Sequence, residues 1–198
     1  MNTPFVPAVG TLPTCYDIVD SPIGRLLLTG NDQALTGLFM LNTGGHPAAV
    51  RADWTRRPGG FTGAAEQLAE YFAGSRTEFD LALAPTGSPF QLAVWAELAR
   101  IPYGVTVSYG EVATAIGKSL LASRAVGLAN GRNPISIIVP CHRVIGADGS
   151  LTGYGGGLDR KEWLLRHEGA PFGVGVGVGG RGRRRGAAAD REEQPTLF

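Results

Sequence analysis

Residues 108–144 read SYGEVATAIGKSLLASRAVGLANGRNPISIIVPCHRV, and this stretch decides the fold. Ser108-Tyr109-Gly110-Glu111 fits a capping box, in which the Ser108 side chain accepts from a backbone amide of the first turn and Glu111 reaches back to the cap. A short helix to Ile116 follows. Gly117 supplies the left-handed residue that ends it, and Ser119 is placed to cap a second helix to about Asn130, closed by Gly131. Two short helices joined by a tight glycine turn match a helix-turn-helix, although many such pairs are ordinary packing units. Ile135 to Val139 is a continuous apolar run, read as a buried strand that delivers the chain into Pro140-Cys141-His142-Arg143-Val144.

Toward the C-terminus, Asp159 and Glu162 have capping-box spacing and Leu158 is placed to staple onto Trp163, which fixes a helix through His167 ended by Gly169. Toward the N-terminus, Phe90 to Arg100 carries Phe90, Val94, Trp95 and Leu98 at helical spacing. It stops before Ile101-Pro102 because proline disfavours helix at the preceding residue. Pro85 to Pro89 is a breaker segment, and the domain boundary is placed there. Before it, Tyr16–Val19, Leu26–Thr29, Ala34–Leu41 and Phe79–Leu83 read as strands, and Thr62–Ala73 as a helix burying Ala65, Leu68 and Phe72. The expected fold class is α+β: a small N-terminal α/β domain over 1–85, then a mainly helical domain over 86–170 that contains the helix-turn-helix. Residues 171–198 form a Gly/Arg-rich tail that cannot bury enough apolar area to offset ordering its backbone, and it reads as disordered.

A chain of 198 residues, 43% hydrophobic, can bury one substantial core or two small ones. Its formal net charge of +1 gives no global sign of nucleic acid, so any such surface must come from locally clustered arginine and lysine. No basic leader followed by a long apolar core opens the chain, and no apolar run approaches the ~20 residues a membrane span needs. A cytoplasmic protein with no membrane partner is expected. Cys15 and Cys141 have no paired spacing, and His46, His142 and His167 are scattered, so reduced thiols and no metal are expected. No phosphate loop or dinucleotide fingerprint appears, and no cofactor is expected.

A lone cysteine is usually a small buried hydrophobe. Cys141 has a different setting, because His142 and Arg143 put positive charge nearby and favour the thiolate, the nucleophilic form. Cys15 lies in a strand-like run and reads as structural. Neighbouring residues in extended chain point to opposite sides, so Cys141 and His142 share a proton only if the chain turns after Pro140 or a water bridges them. Glu168, at the end of a capped helix, is a candidate to hold the imidazole tautomer, but taken alone it reads as a solvated helix-end carboxylate. Asn133 reads as a turn former before Pro134.

Pro140-Cys141-His142-Arg143-Val144, with Asn133-Pro134, Arg124-Ala125-Val126-Gly127, Ile101-Pro102-Tyr103-Gly104, Ser108-Tyr109-Gly110-Glu111 and Glu162-Trp163-Leu164-Leu165, resembles the O6-alkylguanine-DNA alkyltransferase family (methylated-DNA--protein-cysteine methyltransferases). The likeness runs from Phe90 to Gly169, and the first half is compatible with the family's ribonuclease H-like domain. The resemblance implies DNA repair by direct, irreversible, stoichiometric transfer of an alkyl group from O6-alkylguanine to a cysteine, with O4-alkylthymine an open second substrate. Cys141 is then the acceptor, His142 deprotonates it through a water, Glu168 orients His142, and Asn133 bridges the recognition helix and the active-site loop. The implied partner is double-stranded DNA bound through the minor groove. Arg124 would replace a flipped guanine in the stack, as a base that must meet a thiolate cannot stay paired. Tyr109 and Tyr154 wall the base pocket, Val144 and Gly155 belong to the substrate side, and no cofactor is needed. A monomer is implied, with clustering on DNA left open. Lys118–Ser123 is one residue longer than the family pattern and lacks its proline, and Gly155 stands where a serine is common. Three rivals remain: a recognition-only relative, which would lack the cysteine; a helix-turn-helix regulator, which would carry polar base-reading side chains on its second helix; and a cysteine hydrolase, which would turn over.

Overall fold

Leu26-Leu27-Leu28-Thr29-Gly30 buries every residue, and this is possible because it becomes an inner strand, β2, of a four-stranded sheet. The computed structural model describes residues 5–6, 14–41 and 50–173. β1 (Cys15–Val19) and β3 (Leu35–Met40) flank β2 antiparallel, and β4 (Thr55–Arg56) adds a short parallel edge to β1, giving the order β3-β2-β1-β4. Two exposed residues carry no periodicity, so β4 has no signal in the sequence.

Phe79–Leu83, expected as a strand, is not one. Only Leu83 bridges β3, at Leu35. The Gln67 side-chain amide instead takes both backbone groups of Asp80, at 2.9 and 2.8 Å, and withholds them from a ladder. Gln67 lies on α1 (Thr62–Phe72), which ends where Gly74 turns to φ 76°. The helix buries Ala64, Leu68 and Tyr71 rather than the expected face of Ala65, Leu68 and Phe72. Both sets fit a helical stripe, and the tyrosine is admitted because its hydroxyl has a buried acceptor in the second half of the chain.

The helical half starts with α2 (Pro89–Leu98). Ser88 caps it in a reciprocal box with Gln91, with proline at the first position. Trp95 on α2 donates its indole N–H to Ala129 O at 2.9 Å and so ties it to α4 (Ser123–Gly131). β5 (Val107–Ser108) leads into α3 (Tyr109–Ala115), and the expected Ser108–Glu111 capping box is present, as is Gly117 at φ 72°. Ser119 makes no side-chain cap, because Leu120–Ala122 first forms a 3₁₀ turn and α4 begins only at Ser123. β6 (Val144–Ile145) pairs parallel with β5, and α5 (Leu158–His167) closes the domain. Asp159 and Glu162 form no capping box there. Gly157 at φ 90° takes the cap position, Glu162 accepts from Arg166 instead, and Leu158 is left exposed.

The two halves meet along the free edge of β3. Leu38 exchanges hydrogen bonds there with Pro134 and Ser136 of the helical half, next to Leu35, which does so with the 82–84 segment of its own half. The edge strand is thereby covered, and the chain that carries Cys141 is laid directly on the sheet. The architecture is the expected α+β one. Pro171 to Gly173, counted with the tail in the sequence reading, are packed: Pro171 O accepts from Thr106, and Gly173 N–H donates to Gly149 O. The rest of the tail and His46 lie outside the described residues. Among the described residues no helix is long and apolar enough to cross a membrane.

Candidate active site

Ile135 to Val139 is a turn, not the expected strand. Ile135 alone bridges β3, and the backbone then folds on itself: Ile138 N–H donates to Ser136 O at 2.8 Å around Ile137, whose φ is 71°. A β-branched residue there costs about 1–3 kcal/mol and persists only where its surroundings impose it. Asn133 imposes it. Its Oδ1 accepts from Ile135 N–H at 3.0 Å and its Nδ2 donates to Val139 O at 2.7 Å, so one buried amide closes the loop that a ladder would have opened. Asn133→Ala leaves these groups unpaired and is expected to cost about 2–3 kcal/mol, read as a lowered urea midpoint.

The turn feeds Cys141 into a 3₁₀ segment over Cys141–Arg143, and Asn130 at the end of α4 donates to Cys141 O at 3.3 Å. Cys141 is buried, and burial pushes its thiol up. Asn133 and the Lys161 ammonium pull the other way. Lys161 on α5 is itself buried, its Nζ donating to Val144 O at 2.7 Å and Thr152 O at 2.8 Å, and desolvation lowers it to about 8.

His142 is fully buried. Its Nε2 lies 2.8 Å from Glu168 Oε1, and its Nδ1 has no protein partner among the described residues. Burial holds the imidazole below its ordinary value against the pull of Glu168, so the neutral form is the resting one. Glu168 is not a solvated helix end. Burial would raise its carboxyl, but hydrogen bonds from His142 and Arg143 outweigh that and hold it well below the usual carboxylate range.

Arg143 is placed differently from the sequence reading. Its guanidinium clamps Glu168, with Nε at 2.8 Å from Oε2 and Nη2 at 3.0 Å from Oε1, and Nη1 donates to Ile101 O at 2.6 Å. Its charge is spent on the carboxylate, and the cation that acts on Cys141 is Lys161. Sequence reasoning missed Lys161, although its spacing to Leu164 and Leu165 puts it on the apolar stripe of α5, where a lysine calls for an explanation.

Of the remaining candidates, Val144 is buried in β6 and presents its carbonyl to Lys161. Tyr154 has a buried hydroxyl without a protein partner among the described residues, and burial together with Cys141 raises its phenol well above the ordinary value. Gly155 follows it in a turn closed by Gly157 N–H on Tyr154 O. Tyr109 borders the same space, its hydroxyl donating to Thr152 O at 3.3 Å and its ring 6.0 Å from Lys161 Nζ. Arg124 stands apart on the exposed face of α4 beside Ala125 and Leu128.

Residues 89–170 match the family model described as 6-O-methylguanine DNA methyltransferase, DNA binding domain, and residues 14–85 match that of the same family's ribonuclease-like domain. The chain is 60% identical over 153 residues to the methylated-DNA--protein-cysteine methyltransferase of Mycolicibacterium paratuberculosis, spanning 77% of this chain and 91% of the relative. It is 55% identical over 153 residues to the protein of that name from Methanosarcina barkeri, spanning 77% and 96%. The crystal structure of Mycobacterium tuberculosis OGT in complex with DNA superposes with a TM-score of 0.73 at 56% identity, over 79% of this chain and 95% of that one.

Proposed function

The chain belongs to the 6-O-methylguanine DNA methyltransferase family, and on that premise we propose that it repairs DNA by moving an alkyl group from O6-alkylguanine onto its own Cys141, once per molecule. One observation carries the assignment of residues: the buried residue after Cys141 is a neutral imidazole with one nitrogen free among the described residues and the other held by an ionised, arginine-clamped carboxylate. His142 Nδ1 is the free base of that arrangement, and it takes the Cys141 proton through a bridging water. Sγ then attacks the alkyl carbon, the S–C bond forms, and the C–O6 bond breaks with its electron pair left on the guanine. The thioether has no leaving group to regenerate, so one equivalent is transferred. Glu168 fixes the imidazole and stabilises the imidazolium. The Lys161 ammonium favours the thiolate. No cofactor enters, since the alkylated base is itself the electrophile.

The DNA is read from α4 and the 3₁₀ turn that precedes it. Leu120, Leu121 and Leu128 are 67%, 93% and 68% exposed, and with Arg124 and Ala125 they form a face that offers apolar contact and one cation. Such a face suits the shallow code of the minor groove better than base reading in the major groove. Arg124 stacks in the space left by the flipped lesion while staying charged. The chain acts as a monomer in the cytoplasm, with free thiols.

Arg124→Ala removes the replacement for the flipped base and leaves the turn untouched. Transfer from a lesion in duplex DNA is expected to slow about tenfold or more, the size of a flipping penalty of a few kcal/mol. Transfer from a lesion in single strand should change little, and equal loss on both would reject the stacking role. Mass spectrometry of the intact protein mixed with an O6-methylguanine duplex tests the function itself: one methyl per molecule, mapped to Cys141. Unmodified protein still bound to the lesion would support recognition alone, and running the same assay on O4-methylthymine tells whether that base is also accepted.

A further inference from the structure

We propose that Tyr71, on α1 of the N-terminal domain, is a positioning residue for alkyl transfer: its hydroxyl fixes the Glu168 oxygen that seats His142. The inference rests on the Cys141–His142–Glu168 reading above and deepens it. Glu168 Oε1 receives three donors, Tyr71 OH at 2.7 Å, His142 Nε2 at 2.8 Å and Arg143 Nη2 at 3.0 Å. Oε2 is occupied separately, by Arg143 Nε at 2.8 Å and Gly104 N–H at 3.3 Å. Arg143 grips both oxygens and sets the carboxylate plane. Besides the imidazole itself and the Arg143 guanidinium, Tyr71 is the third side chain that donates to this oxygen.

The phenol is itself buried among aromatic neighbours. Its ring packs edge-on to Tyr103 and His167, with centroids 6.1 and 5.2 Å away, and lies 5.5 Å from Phe79. Its own carbonyl accepts from His167 Nε2 at 2.8 Å, one residue before Glu168. Two hydrogen bonds, from the Tyr71 hydroxyl to Glu168 and from His167 to the Tyr71 carbonyl, therefore pin the end of α1 to the end of α5, and a domain that supplies no acceptor for the alkyl group reaches the carboxylate that holds His142. A core that needed only an aromatic ring at this place would be as well filled by phenylalanine, as at the adjacent Phe72, without a hydroxyl to satisfy. Burial and Glu168 keep the phenol protonated, so it is a permanent donor.

Donation into Oε1 draws charge off the carboxylate and limits how strongly Glu168 holds a proton on His142. The other charged or titratable groups acting on His142 are Arg143 from its own segment and Lys161 from α5. Tyr103 faces the same carboxylate. None of these changes when the Tyr71 hydroxyl is removed, so the proton affinity of His142 should rise.

The test is Tyr71→Phe in the full chain, with single-turnover methyl transfer from an O6-methylguanine duplex followed from pH 5 to 9. The acid limb of the rate profile is expected to move up by about 0.5–1 pH unit, which is a three- to tenfold loss on that limb with the plateau near wild type. A lower melting temperature with an unmoved limb would mean that Tyr71 is structural only and would overturn the inference. Difluorotyrosine at position 71, a stronger donor that preserves the packing, should move the limb the opposite way, and it serves even if the phenylalanine variant fails to fold. Glu168→Gln in the same assay separates the two readings. Wild-type transfer in that variant removes the Cys–His–Glu assignment itself, whereas a crippled Glu168→Gln beside a Tyr71→Phe profile that superposes on wild type removes only the role of Tyr71.

Discussion

Cys141→Ala is expected to bind O6-methylguanine duplex DNA within a few-fold of wild type and to transfer no methyl. The change removes only the thiol. The turn that presents residue 141 is held through the Asn133 side chain and the backbone of Ile135 and Val139, and the 3₁₀ segment through Arg143 N–H on Pro140 O; neither uses sulfur. The face proposed above to meet DNA is likewise untouched. Loss of the nucleophile removes the covalent step outright, because no other thiol replaces it: Cys15 lies in β1 on the opposite half of the chain. Binding is measured by anisotropy at fixed salt, since phosphate contacts make affinity strongly salt-dependent. Transfer is measured by the mass of the intact protein. A methyl found on the Ala variant would place the acceptor elsewhere, and a large loss of binding would mean that the thiol also holds the turn.

What the sequence made legible was local. Ser108 and Glu111 stand three apart and satisfy each other, so the start of α3 could be read directly, and Gly74, Gly117 and Gly169 end their helices as glycines with positive φ do. The reading failed where the deciding partner is remote or is a side chain. Ile135–Val139 has the composition of a buried strand, and what makes it a turn is one amide at Asn133 together with the edge of β3, nearly a hundred positions earlier in the chain. The same spacing that gave a true capping box at Ser108 gave a false one at Asp159, where Gly157 with positive φ takes the cap position. Within the site, Cys141 and His142 stood out by their chemistry and Glu168 chiefly through the family resemblance, and the structure brings His142 and Glu168 together at 2.8 Å. Arg143, Lys161 and Tyr71 were assigned wrongly or not at all, because whether a charge serves a thiol, a carboxylate or the solvent is settled by which helix packs against it.

Glu168→Gln is expected to destabilise the fold by about 3 kcal/mol and to slow transfer by about a hundredfold or more. The amide keeps an oxygen for Tyr71 and His142 but loses the charge. The buried Arg143 is left without its counter-ion, and the imidazolium formed during the reaction without its partner. The two losses separate in the double variant Arg143→Met with Glu168→Gln, which removes the orphaned cation along with its mate. Stability should return in large part, as it does when buried ion pairs give way to apolar groups, and transfer should not. Acid sensitivity supplies an independent check. Glu168 is held below its unfolded value, so its contribution is complete above the ordinary carboxylate range and is lost as pH falls toward its depressed folded value. His142, also held below its unfolded value, is buried neutral and adds to the loss on the same side, beginning below about pH 6.5. Wild-type stability should therefore drop in two stages as the solution is acidified. The Gln variant should keep the first and lose the second, and a second stage of unchanged depth would show that the Glu168–Arg143 pair contributes nothing net to folding.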